Sequence, residues 1–393
     1  MSVISKIKIC LYLALLAVSM TISGCGGRPQ AAWPSGEAEG IYGDKKLENA
    51  EGKLAEEILD IIAAAGGDIG LETIRQMVIS LGKEGYVAVD GENQIDMAGA
   101  KKAADFCRMV DAGQEAELEI FEILYTGGFR KYELSTKGGQ VEVVERYYQC
   151  DSNGIFRERN TARYPADSWQ LTQEGYLMFE GNYDSEESYT LTLSENVEYA
   201  AFRVRPLDEK CRELNRKYIL PVGYSRNNMF LVDWDETDFG ELNFYDLFDA
   251  LYPLRFGRAV PYGMGENLES GVVCRIPEGE FENVIMPYFK INSQALRSKT
   301  DYLSEDQVYR YRPRGFHNAE YPDIPYPEVV SYVEKDGGIL ELTVNAVYPH
   351  DNTSKAFSHI VTVRLPNEGG FQYVSNQVVF PEEGYEAWWH GER

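Results

Sequence analysis

The apolar positions of this chain change period along its length. Leu47, Leu54, Ile58, Ile61, Ile62 and Ala65 fall on one face of a helix that Gly66-Gly67 ends. Leu71, Ile74, Val78 and Leu81 repeat the spacing as far as Gly82. A short strand over 86–89 follows, then a helix capped by Asp96 that runs to about Val110 with Phe106, Cys107 and Val110 inward. From Ala116 the period falls to two, with Leu118 and Ile120 alternating with Glu117 and Glu119. Further strands are predicted at 129–135, 140–148, 169–171, 175–180, 189–193 and 200–205, turned by Gly127-Gly128 and Gly138-Gly139. Close strands with tight turns imply an antiparallel meander whose alternating Glu and Arg mark a wet face.

At Pro206 the period lengthens again. Proline suits the first turn of a helix, and Leu207, Cys211, Leu214 and Tyr218 then recur at spacings of four, three and four. Two more helices are predicted over 243–251 and 280–288, and a domain boundary is placed near Arg205. The end of the chain reads as four strands in hairpin order, 329–334, 339–348, 357–365 and 371–378, with turns at Asp336-Gly337-Gly338 and Glu368-Gly369-Gly370. The fold class is therefore α+β: N-terminal helices plus an antiparallel meander together over 43–205, and a second α+β region over 206–393. By element order alone, the closing sheet resembles cystatin-like or NTF2-like folds.

The first 42 residues lie outside that pattern. Lys6 and Lys8 precede an apolar run, 9–22, of 14 residues. Such a run fits a signal-peptide core and is short of the roughly 20 residues that a span needs. It ends in Ile22-Ser23-Gly24-Cys25, which resembles the lipobox of bacterial lipoproteins. That resemblance implies cleavage after residue 24 and a diacylglycerol on Cys25, a covalent lipid and not a cofactor. Residues 26–42, rich in Gly, Ala and Pro, read as a tether. The expected place is the extracytoplasmic face of a cell membrane.

Charge narrows the function. Cleavage would take two of the 38 basic residues and none of the 63 acids, moving the net charge from −25 to −27. A surface this acidic excludes nucleic acid as a partner and offers nothing to anionic headgroups, so the lipid alone must hold the membrane. The 27 tyrosines suit strands first, and stacking surfaces second. Cys107, Cys150, Cys211 and Cys274 are too far apart for a metal knuckle or a redox pair, which leaves two disulfides or separate buried thiols open.

Catalytic signatures were sought and not found. There is no Gly-x-Ser-x-Gly and no phosphate loop, and the histidines 317, 350, 359 and 390 form no zinc motif. Ser358 and His359 are neighbours on a predicted strand, so their side chains point to opposite faces. Asp233, Asp235 and Asp238 could offer oxygen ligands to calcium, although Asp238 stands where an EF-hand has glycine and Phe244 where it has glutamate. Those acids and Glu236 lie beside Trp234, a neighbourhood that suits glycoside cleavage. Tyr321 and Tyr326, on a proline-rich link, and Trp388-Trp389, near the C-terminus, are candidate contacts for a ligand or partner.

Four blocks carry a wider resemblance: Gly85-Tyr-Val-Ala-Val-Asp-Gly-Glu-Asn-Gln-Ile-Asp96, Arg205-Pro-Leu-Asp-Glu-Lys-Cys-Arg-Glu-Leu-Asn215, Tyr311-Arg-Pro-Arg-Gly315 and Gly370-Phe-Gln-Tyr-Val-Ser-Asn376. They are similar to an uncharacterised lipoprotein family of Clostridia-type gut bacteria. The resemblance implies location and architecture and names no site. The expectation is a lipid-anchored surface protein that binds an envelope partner or extracellular ligand without catalysis. The alternative is an extracellular hydrolase of wall or dietary glycans that uses the acids near Trp234.

Overall fold

The computed structural model describes residues 50–151, 154–183, 196–262, 273–313, 324–367 and 369–380. The predicted strand 189–193 lies outside them, as do Cys25, Tyr321, Trp388 and Trp389. Among the described residues no helix is long and apolar enough to cross a membrane. The fold is mixed α+β in two compact units. One holds the described residues up to Asp208 together with Tyr348–Ser354; the other holds the described residues of Glu209–Val347 and those from Lys355 on.

In the first unit, helices α1 (Ala50–Ala64) and α2 (Leu71–Lys83) follow the predicted periodicity. Gly82 does not stop α2. It lies inside the helix, where an added Cβ would come 2.7 Å from the Ala98 Cβ, and the chain turns at Gly85 with φ +92° instead. Strand β1 (Val87–Asp90) runs parallel to β2 (Ala116–Ile123), with helix α3 (Ala100–Asp111) between them. The meander was expected from Ala116 on, and the short strand over 86–89 was given no partner. The crossover helix is what permits a parallel pair, because two adjacent parallel strands cannot be joined by a tight turn. Helix α3 also starts later than Asp96. Ala98 forms a bridge with Ala88, so the chain there is extended, and the Asp96 carboxylate accepts from the Leu207 N–H at 3.1 Å.

Antiparallel pairing does hold from β2 through β3 (Phe129–Lys137), β4 (Gln140–Cys150) and β5 (Phe156–Pro165). Strand β5 was not foreseen. Its middle, Arg157–Thr161, is polar and largely exposed, so only Phe156, Ala162 and Tyr164 carry the buried alternation of an edge strand. The sheet is covered on both faces. Phe121, Ile123, Phe129, Tyr148 and Phe156 pack with Leu54, Ile58, Ile74 and Leu81 of α1 and α2. Leu118, Ile120, Tyr132, Leu134 and Tyr164 pack with Phe106 of α3 and with a second sheet, β6 (Ser168–Leu171), β7 (Tyr176–Tyr183) and β8 (Asn196–Arg203). Each such side chain taken from water contributes about 1.5–3 kcal/mol. Where β7 passes β5, residue 181 must be glycine: a Cβ there would sit 2.3 Å from the Pro165 carbonyl oxygen and 2.6 Å from the Tyr164 ring.

Tyr348–Ser354, with a short 3-10 turn at Pro349–Asp351, completes this unit. Asn352 bonds Ser168 and Gln170 of β6, Ser354 Oγ donates to Glu174 at 2.8 Å, and the His350 ring meets Tyr199 of β8 edge-on at 5.7 Å.

The second unit opens with α4 (Glu209–Leu214), which widens into a π-helical turn at Asn215–Ile219. It starts three residues after Pro206. Helix α5 (Phe244–Phe256) is capped by Asn243, whose side-chain oxygen accepts from the N–H groups of Tyr245 and Asp246. The predicted end at 251 is passed by five residues, because Gly257, at φ +65°, supplies the left-handed stop. A three-stranded sheet, β10 (Cys274–Pro277), β11 (Tyr302–Leu303) and β12 (Val308–Tyr311), joins α6 (Glu278–Ile285) and α7 (Ser293–Ser298). The closing sheet has the four predicted strands, β13 (Tyr326–Lys335), β14 (Ile339–Val347), β15 (Ser358–Arg364) and β16 (Gln372–Val379), in hairpin order. A fifth, β9 (Trp234–Asp235), adds to the β16 edge from far upstream.

The abundant tyrosines have a chemical use as well as a packing one. Phenol hydroxyls donate to carboxylates throughout: Tyr125 to Asp90, Tyr132 to Glu122, Tyr252 and Tyr262 to Glu280, Tyr302 to Glu278, Tyr309 to Glu282, Tyr311 to Asp249. In a chain with 63 acids and 38 bases, these neutral donors supplement the cations, which reach Glu122 from Arg130 and Glu278 and Glu282 from Arg297.

Candidate functional site

The acidic segment 233–238 is a structural turn that carries an edge strand. Asp233 Oδ1 accepts from the Val378 N–H at 2.7 Å. Asp235 Oδ1 accepts from the Thr237 N–H and hydroxyl and from the Asp238 N–H, at 2.7, 2.6 and 3.0 Å, and these bonds hold its carboxyl below the usual range. Asp238 Oδ1 accepts from Gly240 N–H at 3.0 Å. Glu236 is gripped by both oxygens on Arg364, at 2.8 and 2.9 Å. Among the described residues no group of three or more acids, histidines or cysteines is arranged to hold a metal. Trp234 is buried, its indole N–H donating to the Met229 carbonyl at 2.8 Å. Its face is therefore turned to protein, not to a sugar.

The other predicted positions are scattered. Tyr326 is half-buried at the start of β13, opposite Val347. Cys107, Cys150, Cys211 and Cys274 are thiols not joined in disulfides, and burial pushes the Cys107 thiol up to about 11. Ser358 and His359 are both buried on β15. His359 is fully enclosed, with Nδ1 2.7 Å from Asn376 Oδ1 and Nε2 3.0 Å from the Tyr224 hydroxyl. The Asn376 amide nitrogen donates to the Val232 carbonyl, so its oxygen is what faces the imidazole. That assignment puts the proton on Nδ1 and leaves Nε2 to accept from Tyr224.

Two ion networks occupy opposite faces of the first unit's large sheet, where alternation had suggested a wet surface. On one face Lys131, only 4% exposed, bonds Glu51, Glu119 and Glu133 at 2.9, 2.8 and 3.0 Å. On the other, Arg130 bridges Glu122 at 3.0 Å and Glu145 at 3.2 Å. Burial, with Glu198 and Glu122 nearby, pushes the Glu145 carboxyl up to about 7 against the pull of Arg130. The buried Tyr164 hydroxyl, which feels Glu145 and Glu198, has no hydrogen-bond partner among the described residues.

An open groove lies at the other end of β2. Strand β3 pairs β2 along its whole length, Ala116 to Ile123, whereas β1 pairs it only from Ile120 on. Strand β1 cannot extend backwards, because the Tyr86 N–H is committed to the Leu81 carbonyl at 3.0 Å and the chain bends away into α2. Beside Ala116–Glu119 a groove of about 400 Å³ opens, walled by Lys102, Asp105, Phe106 and Met109 of α3 and by Gly85–Val87. Every second residue of an unpaired strand turns its N–H and C=O outward, so this floor can bond an added chain. Glu117 and Glu119 are exposed and share one face of the strand, while Leu118 turns to the α3 side with Phe106. Lys102 is engaged, its Nζ 2.6 Å from the Gly85 carbonyl.

Sequence reasoning did not find this groove. Its signal was present as a mismatch: a four-residue strand, a helix, then an eight-residue strand, which as a parallel pair must leave half of the longer one uncovered. No curated protein and no solved structure matches the chain. A family of unknown function, DUF6070, matches residues 44–393. With residues 44–393 inside that match, the chain belongs to the DUF6070 family.

Proposed function

We propose that this protein is a lipid-anchored, extracytoplasmic binding protein without catalytic chemistry of its own. Support for the anchor is Ile22-Ser23-Gly24-Cys25 at the end of a short apolar run, followed by a Gly- and Pro-rich tether. Two acyl chains on Cys25 suffice for stable anchoring, where one chain would be marginal. The observation that carries the binding role is the uncovered half of β2 with its groove, a backbone edge presented beside mixed apolar and charged walls. The acids near Trp234, the alternative catalytic set, are committed to backbone and arginine partners.

The anchor is tested by growing producing cells on an alkyne-tagged fatty acid. The wild-type chain is expected to take the label and stay with the membrane. Cys25→Ser is expected to lose the label. An unlabelled wild type, or a labelled Cys25→Ser variant, would remove the anchor from this reading.

A further inference from the structure

We propose that the open half of β2 takes an extended segment of a partner protein as an added strand, and that this segment alternates basic and apolar residues. The inference rests on the reading of this chain as a binding protein, and not on its lipid anchor. Three observations specify the occupant. First, Ala116–Glu119 has β3 on one side and, among the described residues, no strand on the other, and at about 3.3 Å per residue it offers some 13 Å of edge in line with β1. A chain laid there finishes a row of pairing that β1 begins. Second, side chains of adjacent strands share faces. Residues of the occupant beside Glu117 and Glu119 meet carboxylates, that of Glu119 shared with Lys131, whereas the residues between them meet Leu118, Phe106 and Met109. The complementary pattern is Lys or Arg at every second position with an apolar residue between. Third, the charge argues against a second copy of this chain as the occupant. Edge-to-edge pairing of two β2 strands would bring Glu117 and Glu119 against the same residues of the other copy, and like charges opposite one another are destabilising.

The test uses the full chain in non-ionic detergent and a short blocked peptide alternating lysine and valine. Binding is read by fluorescence anisotropy and by hydrogen exchange of the amides of Ala116–Glu119 that face away from β3. The peptide is expected to bind and to slow exchange of those amides. Its counterpart with alternate backbone amides methylated is expected to lose both effects, because the ladder bonds are gone. Glu117 is exposed, so Glu117→Lys leaves packing alone. It is expected to weaken the lysine peptide about tenfold and to favour a glutamate–valine peptide instead. Four results would overturn the proposal: no binding by the lysine–valine peptide, equal binding by the methylated one, indifference to Glu117→Lys, or amides already protected without any peptide. Concentration-dependent dimers that Glu117→Lys abolishes would give the edge to a second copy and also overturn it. Failure of any of these leaves the fatty-acid labelling result untouched, so the two readings fall separately.

Discussion

His359 makes the closing sheet sensitive to acid in a way that can be worked through. The imidazole is fully buried, and burial lowers its pKa from 6.5 to about 4, against a smaller opposing pull from Asn376. The unfolded chain then binds the proton more readily than the folded one. Stability is therefore fully present above pH 6.5 and is lost as pH falls, with the loss complete below about 4. The whole gap corresponds to about 3 kcal/mol, of which about 2 kcal/mol falls between pH 7 and 4.5. Other groups titrate in the same window, so the comparison is with His359→Gln, which keeps a donor and an acceptor but no titration. The readout is the opening free energy of the β15 amides, from hydrogen exchange corrected for its intrinsic pH dependence. Wild type should lose about 2 kcal/mol more than the variant between the two pH values. Parallel losses would refute the account, because they would mean that the buried imidazole already carries its proton or that water reaches it.

Glu145 has the opposite sign. Its folded pKa is raised to about 7, so its contribution is full in acid and lost as pH rises through 7. Glu145→Gln is expected to be more stable than wild type at pH 8, by up to about 3 kcal/mol, with the gap closing below pH 4.5 in urea titrations. Lys131→Met would leave Glu51, Glu119 and Glu133 facing one another. Because those carboxylates reach solvent, the expected cost is about 2–3 kcal/mol at neutral pH, shrinking in acid as they protonate, again by urea titration at two pH values.

Elements that obey one period over many residues were legible from sequence. Helices α1 and α2 and the hairpins of β13–β16 announce themselves through uninterrupted apolar spacing and Gly-Gly turns. Strand β5 was hidden because an edge strand needs only three buried residues, and β9 because two residues carry no period at all. Helix α3 was placed too early, since Asp96 looks like a cap until its partner, Leu207, is brought in from 111 residues away. The acids near Trp234 were visible as a cluster, but whether a carboxylate faces a ligand or its own backbone is decided by turn geometry. The groove beside β2 follows from which strands are neighbours, a fact that local sequence does not encode.

The short segment Tyr348–Ser354 has a consequence for how the protein is made. It belongs to the first unit, yet it follows that unit's last long stretch by some 140 residues of chain. A polypeptide made from its N-terminus delivers everything up to Asp208 before the piece that bonds Ser168, Gln170 and Glu174 exists. The N-terminal half must then wait, incompletely edged, until β14 has emerged behind it. Completion of the first unit therefore waits for residue 354, and a chain truncated before Tyr348 would lack the piece that bonds the half made first.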